Sequence, residues 1–229
     1  MKVDILIIGA GPAGMAAALA AAPSGARIAV LDDNPAAGGQ IWRDGPQAHL
    51  PPLAREHRQR LEAQANIQLL PATRVVALAG PQALLVEDPE QGRMIEYDKL
   101  ILCTGARELL LPFPGWTLPG VTGAGGLQAL IKGGMPVAGE RIVIAGSGPL
   151  LLASAATAQD NGAQVLSIAE QANWSAVAGF AAQLPRWPHK LLQSFGLFHP
   201  GYRAGSHVVE ALGQGRLEAV RLCLSLIHI

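Results

Sequence analysis

The stretch VDILIIGAGPAGMAAALAAAPSGARIAVLDD, residues 3–33, restricts the possible folds more than any other part of the chain. Val3 to Ile8 is a continuous apolar run rich in isoleucine, which is typical of a parallel strand covered on both faces. Three glycines follow in the spacing G-x-G-x-x-G: Gly9, Gly11 and Gly14. An alanine-rich helical pattern and a second strand, Arg27 to Leu31, come next. The order predicts a strand–turn–helix–strand unit that binds a dinucleotide.

Each part of this motif has a physical role. The first glycine permits the tight turn, the second lets the backbone approach a pyrophosphate, and the third lets the helix pack close to the strand. Pro12 suits the first helical turn, and the helix amino terminus would hold the diphosphate. The expected cradle is Gly9, Ala10, Gly11, Pro12, Ala13 and Gly14. Asp32 ends the second strand, 23 positions after Gly9, where its carboxylate can accept hydrogen bonds from a ribose diol.

A shift of 137 positions reveals the same plan a second time, in RIVIAGSGPLLLASAATAQDNGAQVLSIAE. Gly146 then stands over Gly9, and Gly148 stands over Gly11. This repeat predicts a second Rossmann-like unit.

The second copy departs from the motif at two places. Leu151 stands where the third glycine would be, so we expect it to push the helix away from the strand. Ala169 stands over the ribose-binding acid, and Glu170 follows one place later, on the opposite face of an extended strand. We therefore expect weak NADH and NADPH binding here; the alternative is a degenerate unit kept for packing.

Composition excludes several classes of function. Half of the 229 residues are hydrophobic. The 17 basic residues balance 17 acidic ones, so the composition shows no excess of positive charge of the kind that binds nucleic acid. No run of 18 apolar residues predicts a membrane span, and Asp4 and the glycines interrupt the segment that resembles a signal peptide. The two cysteines, Cys103 and Cys223, match neither a CxxC nor a zinc pattern and favour a reducing compartment. We expect a cytoplasmic protein without a metal site.

The remaining segments are weaker in pattern. A helix is expected over 53–65, followed by short strands with a turn at 89–92. The proline-rich segment 112–120 is the linker candidate, broken helix and loop are expected over 179–202, and a hairpin is expected around 213–215.

The chain resembles the two-dinucleotide-fold flavoprotein oxidoreductases, which are relatives of glutathione and thioredoxin reductases. The resemblance rests on the two glycine-loop units and on the segment CTGARE at 103–108. The segments GGQIWR (38–43), PGVTGAGGLQALIKGG (119–134) and GSGPLLLASA (146–155) are similar to the A, or alpha, subunits of hydrogen cyanide synthase, opine oxidase and related amino-acid dehydrogenases. This resemblance implies FAD, an electron-transfer role, and a partner subunit that contains its own flavin and oxidises an amine or amino acid.

The resemblance also implies site residues. The cradle at 9–14 would hold the FAD pyrophosphate, and Asp32 the adenosine ribose. Four further residues would lie along the cofactor: Gly39, Gln40, Thr104 and Gly105. Asp33 is expected to be a solvated neighbour of the site, and Trp42 and Arg43 either line it or pack on the surface. No acid, base or nucleophile stands out, which is compatible with flavin chemistry.

The expected architecture is α/β, with the second Rossmann-like unit inserted in the first. An incomplete FAD-binding domain would cover 1–113 and an incomplete NAD(P)-type domain 114–223. In the family the chain returns to complete the first domain with a glycine–aspartate segment, and none follows Glu170. Residues 224–229, LSLIHI, look like a sequencing adapter translated in frame, so we expect the native sequence to stop near 222 or 223.

Three functions remain open at this point. The first is an FAD-dependent electron-transfer subunit of an amino-acid or opine dehydrogenase. The second is a stand-alone NAD(P)H-dependent flavoprotein reductase, and the third is a non-catalytic nucleotide-binding scaffold.

Overall fold

The computed structural model describes residues 1–46, 50–188 and 199–224. The chain divides into two compact units, Met1–Arg107 and Glu108–Ile229. The domain limits expected from the sequence remain predictions. Leu224, expected to begin the tail, is the last residue of a strand, and 225–229 lie outside the described residues.

The first unit alternates strands and helices and then continues with strands alone. Its elements are β1 Lys2–Ile8, α1 Pro12–Ala21, a 3-10 turn Ala22–Ser24, β2 Ile28–Leu31, α2 Pro52–Glu62, β3 Ile67–Leu70, β4 Arg74–Gly80, β5 Ala83–Glu87 and β6 Gly92–Leu102. The helix and strands expected between residues 53 and 102 are thus confirmed, with α2 ending three residues earlier than predicted.

The strands of the first unit form one six-stranded sheet in the order β3-β2-β1-β6-β5-β4. Strands β3, β2, β1 and β6 are parallel, and β5 and β4 add to β6 in antiparallel fashion. Because β1 lies between β2 and β6, the carboxyl ends of these three strands meet at one edge. Ligands of open α/β sheets bind at this edge.

Two apolar clusters hold the first unit together. One packs α1 and α2 on the sheet: Ile7, Ala10, Met15, Ala18, Ile28, Val30 and Leu61. The other gathers side chains from β1, β2, β3, β5 and β6: Val3, Leu6, Ala29, Leu31, Leu70, Leu84, Val86, Ile95 and Tyr97. Every residue of β2 is buried, as expected of a central parallel strand.

The second unit repeats the strand–helix–strand plan. Its elements are α3 Ala124–Lys132, β7 Arg141–Gly146, α4 Leu150–Asp160, β8 Gln164–Glu170, α5 Trp174–Ala181, a 3-10 turn Leu184–Arg186, β9 Tyr202–Ala204, β10 Ser206–Leu212 and β11 Ala219–Leu224. Strands β7, β8 and β9 form a parallel sheet, and β10 and β11 pair as the expected hairpin. Residues 189–198 of the predicted loop region lie outside the described residues.

Two clusters also form the core of the second unit. Helix α3 packs on α4 through Leu127, Ile131, Val137, Ala158 and Ala163. Helix α4 packs on the sheet through Ile144, Leu151, Ala155 and Ile168. No helix within the described ranges is long and apolar enough to cross a membrane.

Candidate nucleotide-binding site

The glycine loop of the first unit connects β1 to α1 at the carboxyl edge of the sheet. Gly9 has φ of 100°, and a Cβ there would lie 2.8 Å from the carbonyl carbon of Cys103. A Cβ at Gly14 would lie 2.9 Å from the carbonyl carbon of Gly9. Both spacings are too short for any side chain, so the turn and the helix approach require glycine at these two positions.

The amino end of α1 is available to an anion. Gly11 is its N-cap residue, Pro12 follows at the first helical position, and the first turn carries no acidic residue. Among the described residues, no side chain caps this helix end. The first amide groups and the helix dipole therefore point toward the space where the sequence places a pyrophosphate.

Asp32 follows β2 and is 7% exposed. Its Oδ2 accepts a hydrogen bond from the amide of Ala10 at 2.5 Å, and its Oδ1 accepts from the amide and side-chain nitrogen of Asn34 at 2.8 and 2.7 Å. A carboxylate offers about four acceptor positions. Three are used by the protein, so one position is left for a ribose hydroxyl.

A cavity of about 220 Å³ lies beside Asp32. Its walls include the apolar side chains of Val30, Pro35, Leu61 and Leu69. Arg58 and Glu62 also line it, so the cavity is mainly but not wholly apolar. A mainly apolar cavity next to a carboxylate suits an adenosine, with the base against the apolar wall and the ribose at the acid.

The segment after Asp32 returns to the glycine loop. Gly39 lies so near Gly11 that a Cβ at Gly39 would be 3.0 Å from the Gly11 Cα. Gln40 and Asp33 are exposed, and the Asp33 carboxylate accepts a hydrogen bond from the side chain of Asn34 at 3.1 Å. Gly39 thus lies against the glycine loop, and Asp33 is exposed to solvent, as predicted.

Arg58 of α2 anchors this segment, and nothing in the local sequence pattern pointed to it. Its guanidinium donates to Asp44 at 2.7 Å and to the carbonyl oxygens of Ala37 and Trp42. The Arg58 guanidinium holds the pKa of the Asp44 carboxyl below its usual value. These contacts fix the loop without using the cofactor.

The two large side chains of the loop have structural partners. Trp42 packs against the cluster beneath α1 and meets His57 edge to face, with ring centroids 5.3 Å apart. Arg43 donates to Asn34 at 3.0 Å and to Gln40 at 3.2 Å. Of the two interpretations left open by the sequence, packing therefore accounts for the contacts seen.

Thr104 and Gly105 follow β6 at the same edge of the sheet. The amide of Cys103 donates to the carbonyl of Ile8 at 2.7 Å, which brings this segment beside Gly9. Thr104 and Gly105 are exposed, and Gly105 has φ of 70°. The structure therefore gathers the predicted residues of the first unit at one sheet edge; their contacts with FAD remain predictions.

In the second unit, the prediction that Ala169 takes the place of Asp32, with Glu170 on the opposite face of the strand, is wrong. Ile142 pairs with Val165, but Val143 pairs with Ser167, so Leu166 is an extra residue in β8. The register then places Glu170, not Ala169, opposite Gly146. This one-residue shift reverses which side chains face the glycine loop.

Glu170 consequently repeats the arrangement of Asp32. It is 2% exposed, its Oε2 accepts from the amide of Gly148 at 2.9 Å, and its Oε1 accepts from the amide of Ala172 at 2.8 Å. Tyr202 donates to Oε2 at 3.4 Å. Burial, followed by the charge of Glu170, raises the pKa of Tyr202 to about 12. The second unit therefore has its own buried acid at the position that corresponds to Asp32.

Leu151 is accommodated in the core. It is 4% exposed and packs with Ile144, Ala155 and Ile168. Helix α4 begins at Leu150, one place later than the repeat predicts, and Gly148 has φ of 95°. The second loop therefore has a different backbone from the first, whose Gly11 has φ of −70°.

The parts of the chain that the structure describes contain no group of three His, Cys, Asp or Glu side chains able to hold a metal ion. The geometry consists of two strand–glycine loop–helix units, each with a buried acid after its second strand. This defines a nucleotide-dependent protein of the Rossmann class.

Comparison with known proteins gives the family. The model for pyridine nucleotide-disulphide oxidoreductases matches residues 3–216, and the chain belongs to this family. It is 35% identical to the HcnB component of hydrogen cyanide synthase from Pseudomonas protegens, covering 96% of this chain and 50% of that protein. It is 40% identical to the A subunit of opine oxidase from Rhizobium meliloti, covering 74% and 35%. Thioredoxin reductase of T. acidophilum has a similar structure, with a TM-score of 0.66 and 18% identity over 98% of this chain and 71% of that chain.

Family membership confirms the α/β Rossmann-type fold, the oxidoreductase class and FAD as the cofactor. The chain spans about half the length of the curated relatives it matches. The insertion of the second unit into the first remains a prediction. The loop of the first unit, with its uncapped helix end and buried acid, fits the pyrophosphate and ribose of such a cofactor.

Proposed function

We propose that this chain is the FAD-binding, electron-transfer part of one subunit in an amino-acid or opine dehydrogenase or oxidase. Two curated relatives support this proposal, because both are named as subunits of multi-subunit enzymes. The two cysteines, Cys103 and Cys223, form no CxxC pair, so these 229 residues lack the dithiol that disulfide reduction by a related enzyme would require. In this proposal the amine is oxidised in a partner subunit that carries its own flavin.

The geometry of the first unit carries the proposal. The amide groups at the start of α1 would hold the pyrophosphate of FAD, and Asp32 would accept a hydrogen bond from the adenosine ribose. When bound, FAD supplies the electron transfer, while the protein supplies position and electrostatics.

The test is to replace Gly11 by valine. A Cβ at Gly11 would be 3.9 Å from its nearest neighbour, and its φ of −70° suits any residue, so the fold should tolerate the change. The valine would nevertheless occupy the space of the pyrophosphate, and we expect flavin to be lost during purification. Gly92→Val is the matched control, because a Cβ there has a nearest neighbour at 3.8 Å and the position is exposed in the same unit.

Flavin absorbance per protein decides the result. A Gly11→Val protein that retains as much flavin as the Gly92→Val control would contradict the assignment. Wild-type protein without any retained flavin would instead favour the non-catalytic scaffold.

A second candidate function is favoured by one observation, the buried acid at Glu170. An acid at this position accepts hydrogen bonds from the ribose of NADH and repels the 2′-phosphate of NADPH. We infer that the second unit binds NADH in preference to NADPH. Binding of a nicotinamide dinucleotide is what a stand-alone NAD(P)H-dependent flavoprotein reductase would require. Titration calorimetry with both nucleotides, on wild type and Glu170→Gln, tests this inference. A low-micromolar dissociation constant for NADH would favour the reductase over the electron-transfer role, and equal affinities would refute the role of Glu170.

A further inference from the structure

Tyr202 lies beside the acid of the second unit. It is the first residue of β9, where it pairs with Ile168, two residues before Glu170. Its ring packs on the cluster that contains Leu151 and Ile168, and its hydroxyl donates to Glu170 Oε2 at 3.4 Å. A phenol donor is thus directed at the carboxylate that a ribose would use.

The first unit has no such donor at the corresponding place. There Val30, two residues before Asp32, pairs with Leu69, so Leu69 occupies the register position of Tyr202. Leu69 lines the cavity beside Asp32 and offers no hydrogen-bond donor, so the side-chain donor on Asp32 is Asn34, which follows the strand, at 2.7 Å. The same fold position is therefore aliphatic in one unit and hydroxylated in the other.

The hydrogen bonds of Glu170 show what a ribose would have to displace. Two come from main-chain amides, of Gly148 and Ala172, at 2.9 and 2.8 Å. The third comes from Tyr202 and is the longest at 3.4 Å. A carboxylate has about four acceptor positions, so the three donors on Glu170, like the three on Asp32, leave one position for a ribose hydroxyl, and the second hydroxyl can bind only if one donor leaves. A side chain can leave by rotation, whereas the Gly148 amide belongs to the glycine loop and the Ala172 segment is held by the hydrogen bond from the Gly205 amide to the Ala172 carbonyl at 2.8 Å.

We propose that Tyr202 is a positioning residue that sets the nucleotide affinity of the second unit by occupying the ribose acceptor of Glu170. This proposal rests on the inference that the second unit binds a nicotinamide dinucleotide. The hydroxyl lowers affinity because the hydrogen bond to Glu170 must be broken before the ribose of NADH takes its place. NADPH gains less from its removal, because its 2′-phosphate is repelled by Glu170.

The experiment compares Tyr202→Phe with wild type in NADH and NADPH titrations. A weak hydrogen bond of the kind seen corresponds to about a three- to tenfold change in affinity. We expect NADH to bind about three- to tenfold more tightly to Tyr202→Phe, with a smaller change for NADPH. Tyr97→Phe is the matched control, since the other tyrosine of the chain is buried in the first unit and should leave NADH affinity unchanged.

A double-mutant cycle separates this role from a merely structural one. In the Glu170→Gln background, Tyr202→Phe should produce much less gain, because the uncharged amide has one acceptor oxygen in place of two and binds a ribose hydroxyl more weakly than the carboxylate does. An unchanged or weakened NADH affinity in Tyr202→Phe, or an equal gain in both backgrounds, would overturn the proposal. If wild type prefers NADH and Tyr202→Phe has no effect, only the role of Tyr202 fails. If neither protein binds NADH, the nucleotide assignment of the second unit fails as well.

Discussion

Replacing Gly14 by alanine tests the close approach of α1 to β1. The added Cβ would lie 2.9 Å from the carbonyl carbon of Gly9, nearer still to its oxygen, and 3.4 Å from the Cβ of Cys103. Ordinary van der Waals contact of a methyl group begins at about 3.4 Å. The atoms that the Gly14 Cβ would overlap belong to the backbone, which cannot change rotamer to relieve the overlap. Overpacking usually costs about 1–3 kcal/mol. Because relief requires the helix itself to move, we expect a loss at the upper end of that range.

Urea denaturation, monitored by the release of flavin, measures the decrease in the free energy of unfolding of the first unit. Gly179→Ala is the matched control, because this helical glycine in α5 is exposed and a Cβ there meets nothing within 4 Å. That change should stabilise the protein by about 0.5–1 kcal/mol through helix propensity.

The corresponding position of the second unit, Leu151, needs a large side chain instead of glycine. Leu151→Ala should therefore cost about 2–5 kcal/mol, because it leaves a cavity in the core.

The refuting result is specific. If Gly14→Ala unfolds at the same urea concentration as wild type and retains its flavin, the helix does not approach the strand as closely as the structure shows. If Leu151→Ala is also neutral, the packing of both repeats would be wrong.

Three further outcomes are expected. Arg58→Ala should destabilise the protein by about 1–3 kcal/mol and weaken FAD retention, because Arg58 holds the loop at 37–44. The control, Arg60→Ala on the exposed face of α2, should change the free energy of unfolding measured in urea titrations by less than about 0.5 kcal/mol. The hydrogen bond from Arg27 lowers the pKa of Asp4 from 3.8 to about 2. The ion pair therefore contributes to stability above pH 3.8, and this contribution is lost as the pH falls toward 2. Arg27→Ala should remove this part of the dependence of stability on acid pH. Burial raises the pKa of Tyr202 from 10.0 to about 12, so stability should fall as the pH rises between these values, and Tyr202→Phe should abolish that fall in alkaline denaturation.

The first unit was predictable because its signals are local. The apolar run of β1, the glycine spacing and Asp32 each depend on residues within one turn or strand. The hairpin around Gly213 was visible for the same reason, since its turn residues are adjacent in sequence. Neighbouring residues determine these features, so the sequence suffices for them.

Other parts of the site depend on contacts between segments far apart in the chain. The contact of Arg58 with the loop at 37–44 needs α2 to lie across that loop, and the position of Cys103 beneath Gly9 needs β6 to pair with β1. Neither relation has a pattern along the chain from which it could be read.

Glu170 shows this division most clearly. The sequence by itself determined that a second glycine loop, a helix and a strand ending in an acid follow one another. Only the tertiary structure decided which residue of that strand faces the loop, because the extra residue at Leu166 shifts the pairing of β8 with β7 by one. Strand register is set by hydrogen bonds and packing across the sheet, and a shift of one residue exchanges the two faces.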